Sequence, residues 1–237
     1  YQCLLAKNLS PESVKLEHDF ASIIDEQMDR GFQFNSAKAG ALYATLMARR
    51  NELESQLRNI FPPTIITMKM RNWVAGGVVY PTKNAAVADG HKLKNITPGD
   101  LKTKTIPFNP GSRDEIAERL IAKYGWKPVE FTDTNKPKVD DDILSALDYP
   151  EAKMLAEFLM VDKRLGQLAD GKQGLIKSVG SDGRIHGRVV TNGAVTGRCT
   201  HMEPNMAQIP RVGSPYGTEF RSLLEVPAGF ELVDRKS

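Results

Sequence analysis

Residues 193–210 (GAVTGRCTHMEPNMAQIP) hold the densest set of side chains in this sequence able to do recognition chemistry. Arg198 offers a planar fork of donors that stays charged. Asn205 and Gln208 carry amides that both donate and accept, as contact with base edges requires. Gly193 and Gly197 permit close backbone approach to a ligand, and Pro204 and Pro210 favour an extended path between them. Taken singly, each of these residues is also ordinary loop chemistry, so the reading rests on the whole string. GAVTGR lacks the Gly-Lys-Ser/Thr ending of a phosphate loop. Cys199 and His201, with His186 and Cys3, do not have a zinc spacing.

The elements that must position this string follow from periodicity and capping. Ser10 and Pro11 open a helix whose apolar face is Val14, Phe20, Ile23, Ile24 and Met28, and Gly31 stops it. Phe32 and Phe34 alternate as in a short extended piece. Asn35 or Ser36 caps a second helix reaching about Ile60, with Leu42, Leu46, Leu53 and Leu57 as one stripe, roughly 36 Å long. Residues 62–107 show little helical periodicity but carry seven cations and two carboxylates, a net +5 in a chain of net +3. Such a basic excursion is either a phosphate-backbone contact or a solvated loop.

Ser112 and Glu115 predict a capping box, Ile116, Leu120 and Ile121 an apolar face, and Gly125 a stop. With Arg113 beside it, that helix N-terminus suits a phosphate. Residues 126–138 read as a polar connector, and Asp140, Asp141 and Asp142 as a cap and first turn rather than a metal cluster. Pro150 opens a helix carrying Met154, Leu155, Phe158, Leu159 and Leu165, with Lys163 and Arg164 near its end. A turn at 181–183 leads to a strand over 184–190, with Ile185 and Val189 on one face. Phe220, Leu223 and Leu224 mark a short helix, and a strand begins at 229–233.

Composition sets the class. Charged residues at 26% and hydrophobic ones at 41% describe a globular chain. No apolar run approaches the ~20 residues of a membrane helix. Two cysteines, Cys3 and Cys199, give no disulfide framework and suit a reducing compartment. Tyr1 follows no Met, which points to a fragment or a processed chain.

The string Thr196-Gly197-Arg198 followed by PNMAQIP, with GRIHG before it and SPYG after it, resembles the family A DNA polymerases, of the DNA polymerase I type. It is most similar to the replicative polymerases of short-tailed phages. FNPGSRD (108–114) resembles that family's thumb motif, in which the positions of Asn109 and Ser112 contact backbone phosphates. The resemblance implies an α+β fold, mainly α-helical: a long thumb helix hairpin with a basic tip insertion, then the first strands of an antiparallel palm sheet. Residues 1–34 would be a connecting helix on the palm side, 35–180 the thumb with 62–107 as its tip, and 181–237 the start of the palm.

The resemblance also assigns roles. Arg198 reaches the minor groove near the primer end, with Thr196, Asn205 and Gln208 beside it. Ser112, Arg113, Asn109, Lys163 and Arg164 meet phosphates, and His186 matches the family's G-R-[IL]-H motif. Lone histidines in strands are more often structural. The implied parent activity is templated DNA synthesis with Mg²⁺ in the complete enzyme. No metal is expected on this chain, because the first catalytic carboxylate falls at Lys236 or, in a shorter register, at Asp234. The implied partners are primer–template DNA, a polypeptide supplying the remaining palm and fingers, and a processivity factor at the 62–107 tip, all in the cytoplasm of a bacterial host. The alternative is a stand-alone nucleic-acid-binding product of a split or truncated polymerase gene, without catalysis.

Overall fold

The computed structural model describes residues 10–231. Helix α1 (Pro11–Arg30) starts where expected: the Ser10 hydroxyl accepts from the Ser13 amide, and Gly31 at φ 62° ends the helix. Its apolar face is largely unpartnered. Ile24 is buried, whereas Phe20 and Ile23 remain 38% and 63% exposed. Strand β1 (Phe32–Phe34) follows, then helix α2 (Ser36–Ile60). Asn35 caps α2 by accepting from the Lys38 amide at 2.9 Å. Leu42, Leu46, Leu53 and Leu57 are all buried, since spacings of four and seven return to one face of the helix.

Residues 62–107, which the sequence reads as either a phosphate-backbone contact or a solvated loop, form a sheet, so the plain-loop alternative does not hold. Strands β2 (Thr64–Ala75) and β3 (Val78–Tyr80), helix α3 (Lys83–Ala88) and strand β4 (Thr97–Ile106) come in that order. The sheet is antiparallel, ordered β3-β2-β4. The β2–β4 ribbon pairs Thr64 with Ile106 at one end and Val74 with Thr97 at the other, with register irregularities on both sides of Arg71. Ala75, Tyr80, Ala86 and Ile96 make a small core, with Trp73 packed against it. The Tyr80 hydroxyl donates to Asp89 at 2.5 Å and lies 3.0 Å from His91 Nε2. At the root of the ribbon, the Phe61 and Phe108 rings lie 4.9 Å apart. Arg119 donates there to the Pro62 carbonyl and the Thr64 hydroxyl, each at 2.7 Å.

Helices α4 (Arg113–Tyr124), α5 (Asp141–Ala146) and α6 (Pro150–Leu165) follow. On α4, Ile116 and Leu120 are buried, but Ile121 is 41% exposed. One residue is about 100° of helix, which carries position 121 off the face that Leu120 occupies. Asp140 caps α5, its carboxylate accepting from the Ile143 amide at 2.9 Å. Lys123 and Tyr124 both donate to the Glu151 carboxylate, and the Tyr124 ring stacks on Tyr149 at 4.1 Å.

The single strand expected over 184–190 is two. Strand β5 (Arg184–Ile185) pairs with β1, and β6 (Arg188–Val190) pairs with β7 (Thr200–Met202). The break falls at His186 and Gly187. A Cβ on Gly187 would stand 2.8 Å from Met206 Cγ and 3.0 Å from the Pro204 carbonyl oxygen, so a residue without a side chain passes there. Helix α7 (Gly217–Arg221) buries Phe220, and β8 (Leu224–Glu225) pairs with the other edge of β1, giving the antiparallel order β5-β1-β8. Leu223 and Leu224 therefore lie past the helix that was to contain them. The strand expected over 229–233 is absent from its described part. The Phe230 amide instead donates to the Pro227 carbonyl at 3.1 Å, closing a turn, and 232–233 lie outside the described residues.

Residues 52–159 form one compact unit, and 10–51 with 160–231 form another. No described helix is long and apolar enough to cross a membrane. Replacing Leu46, which is fully buried, by Ala is expected to lower unfolding stability by about 2–5 kcal/mol in urea titrations. Ile121→Ala should change it by about 0.5 kcal/mol or less. Equal losses would put Ile121 in the core.

Candidate nucleic-acid interface

In the unit built from both ends of the chain, residues 191–199 connect β6 to β7. The loop is closed by backbone bonds from the Ala194 amide to the Arg198 carbonyl at 3.0 Å and from Gly197 to Ala194 at 2.9 Å. Gly193 does make a close approach, but to the base of its own loop: a Cβ there would meet Thr200 Oγ1 at 2.1 Å. The Asn192 amide donates to Glu17 of α1 at 2.6 Å. Thr196 and Arg198 are exposed, and the Arg198 guanidinium has no hydrogen bond or ion pair among the described residues. Its donor fork faces solvent.

Asn205 and Gln208 belong to a different part of the same unit. They line a cleft of ≈ 300 Å³ together with Lys163, Gln167, Gln173 and Phe220. Asn205 Oδ1 accepts from the Ala207 amide at 3.1 Å and starts a 3-10 turn, Met206–Gln208. That local side-chain cap turns the segment between Pro204 and Pro210, where proline alone suggested an extended path. The cleft combines one exposed ammonium with four side-chain amides, a donor-rich set that does not select one ligand shape. Gln167 and Gln173 were not singled out from the sequence. Their only signal is the amide density of 166–175, next to the basic end of α6.

Arg164 lies next to Lys163 and is engaged with its surroundings. It donates to the Pro215 carbonyl at 3.3 Å and to Gln167 Oε1 at 2.9 Å, with its guanidinium 6.0 Å from the Phe220 ring centre. Arg221 similarly donates to the Pro210 carbonyl at 2.9 Å. Lys163 is exposed.

His186 is tied into the fold. Nδ1 lies 2.8 Å from the Met28 carbonyl and Nε2 3.0 Å from Asp182 Oδ2. The carbonyl acceptor first, and then the Asp182 carboxylate, raise the imidazole above its ordinary 6.5, and His186 in turn holds Asp182 below the usual carboxylate value. Both ring nitrogens donate only when the ring is protonated.

The other unit holds Asn109, Ser112 and Arg113. Ser112 caps α4, its hydroxyl accepting from the Glu115 amide at 3.4 Å. The box is only half formed. The Glu115 carboxylate accepts from the Asn109 amide at 3.0 Å, because the Ser112 amide already donates to the Asn109 carbonyl at 3.0 Å. Asn109 Oδ1 is occupied by the Gly111 amide. Arg113 is exposed and lines a cleft of ≈ 340 Å³ with Lys136 and Lys138, and with Asp114 and Asp140 as countercharges. Among the described residues, no group of three or more His, Cys, Asp or Glu side chains is placed to hold a metal ion, and Asp234 lies outside them.

The raised His186 pKa has a stability consequence. The stabilisation it supplies is complete below the unfolded value near 6.5 and is lost as pH rises through the higher folded value. His186→Gln should flatten the decline of melting temperature between about pH 6 and about pH 8. A wild-type decline that persists unchanged in the variant would remove His186 as its source.

A family model for DNA polymerase family A matches residues 88–234. The DNA-directed DNA polymerase of Escherichia phage T7 is 35% identical over 250 residues, covering 90% of this chain and 35% of that polymerase. That of Enterobacteria phage T3 is 36% identical over the same extent, again 35% of its length. The chain thus spans about a third of the length of these curated relatives. Among solved structures, the POL domain of Pol1 from M. smegmatis, in complex with DNA primer-template and dNTP, superposes with a TM-score of 0.57 at 18% identity, covering 88% of this chain and 29% of that one. With most of its length under the family model and about a third of its residues shared with the phage polymerases, this chain belongs to DNA polymerase family A.

Proposed function

We propose that the chain is the primer–template-gripping portion of a DNA-directed DNA polymerase of phage type: a palm-side connecting helix (1–34), a thumb (35–180) and the opening of the palm (181–237). The observation that carries this reading is the gathering of Lys163, Asn205 and Gln208 around one cleft, within the segment the family model matches. An ammonium for phosphate and amides for base edges are what a duplex grip needs. Arg198, with its donor fork unengaged, reads the minor groove near the primer end beside Thr196. That groove does not distinguish A·T from T·A, which suits an enzyme that must accept every sequence. Ser112, Arg113, Asn109 and Arg164 supply phosphate contacts, and His186 positions the strand that leads to the Arg198 loop.

The partners in this reading are primer–template DNA, a polypeptide carrying the remaining palm and fingers, and a processivity factor at 62–107. The place of action is the cytoplasm of a bacterial host. Mg²⁺ supplies two-metal phosphoryl transfer in the complete enzyme, and no step is assigned to the residues described here.

Two measurements test this. Arg198→Ala should weaken binding more to primer–template than to blunt duplex at one salt concentration. Equal losses would reduce Arg198 to a general phosphate contact. The second is primer extension with Mg²⁺ and four nucleotides. A polypeptide of these 237 residues should bind without extending, and a polypeptide supplying the remaining palm and fingers should restore synthesis. Extension by the chain alone that survives Asp234→Ala would mean the active site has been misplaced.

A further inference from the structure

The β2–β4 ribbon carries a second recognition surface. Lys69, Arg71 and Trp73 fall at alternate positions of β2, and register irregularities flank Arg71 on both sides. With Met70, Pro81 and Lys102 they line an open cleft of ≈ 360 Å³. Three of its side chains are cationic and none is a carboxylate. Lys69, Arg71 and Lys102 have no ion pair or hydrogen bond among the described residues. Trp73 is half-buried, packed against the small core of this sheet, and the Lys83 ammonium stands 4.2 Å from its ring centre. The surrounding segment is the +5 stretch of the sequence.

An indole, a thioether and a proline ring beside three unpaired cations fit one kind of ligand especially well. An unpaired base stacks on an aromatic face while its neighbouring phosphates meet lysine and arginine. A duplex does not use such a lining, because its bases are stacked on one another and offer only their edges in the grooves. An acidic peptide would satisfy the cations but gives the apolar lining nothing to stack.

We propose that this cleft binds single-stranded nucleic acid, an unpaired base lying against Trp73 and its flanking phosphates on Lys69, Arg71 and Lys102. The site is separate from the duplex grip, and it rests on the polymerase reading only for the choice of DNA as the strand.

Tryptophan fluorescence of the whole chain tests it directly, with oligo(dT) as the probe. The sequence has two tryptophans, and Trp126 is only 8% exposed, so quenching reports Trp73. Oligo(dT) should quench saturably, and blunt duplex should not. Trp73→Phe should abolish the quench and weaken binding of labelled oligo(dT) by about threefold, because phenylalanine keeps a smaller stacking face, and Trp73→Ala by about tenfold. The triple variant Lys69→Ala, Arg71→Ala, Lys102→Ala changes surface residues and should retain the wild-type circular dichroism. It should lower the slope of log affinity against log salt by about 2, at ~0.7 per single-strand phosphate contact. Failure of oligo(dT) to quench, equal quenching by duplex, or displacement of oligo(dT) by poly-glutamate at matching charge concentration would overturn the proposal, the last reassigning the cleft to an acidic peptide. A chain that quenches with oligo(dT) yet ignores primer–template would sink the duplex grip and leave this cleft standing.

Discussion

The unit assembled from both ends of the chain depends on the amide of Asn35. Its carbonyl oxygen accepts from the Lys38 amide and starts α2, while its Nδ2 donates to Glu225 at 2.8 Å and its backbone amide to the Leu223 carbonyl at 2.8 Å. Lys38 adds a salt bridge to the same Glu225 oxygen at 2.7 Å. Lys38 first, and then Asn35, hold the Glu225 carboxyl below its ordinary value. Few side chains can donate and accept at once. Because this one does, the start of α2 is tied directly to β8, and β1 lies between β5 and β8 in the same sheet.

From β1 the geometry passes outward to the recognition residues. β5 leads to His186 and Gly187, where the backbone clears Pro204 and Met206 and enters β6. β6 and β7 then present the Arg198 loop, while the segment after Pro204 turns back on Asn205 into the cleft beside the end of α6. The eighteen-residue string thus serves two places: one part displays a single guanidinium, and the other contributes amides to a cleft.

Local signals in the sequence were legible where one residue settles the matter. Ser10, Asn35, Ser112 and Asp140 each cap the helix they were expected to cap, because a cap requires only the neighbouring amides. The leucine stripe of α2 was equally plain. The ribbon at 62–107 was not, because most of β2 and β4 is exposed and a strand with no buried face has no reason to alternate. The break at Gly187 was hidden for another reason: the crowding atoms belong to Pro204 and Met206, which are distant in sequence. Glu115 was misread because two acceptors compete for the Ser112 amide, and only the fold shows that the Asn109 carbonyl wins. Trp73 and the two glutamines of the cleft lie outside any recognisable string, and only packing brings them to their surfaces.

The discontinuity of this unit has a meaning for synthesis on the ribosome. β1 emerges with neither neighbour, since its partners at 184–185 and 224–225 are still to be translated. At ~5–20 residues per second, the wait for the first of them is roughly eight to thirty seconds. Within that interval all of residues 52–159 are translated, and the β2–β4 pairing lies wholly inside them. The growing chain therefore carries residues 52–159 while β1 still waits for both of its partners.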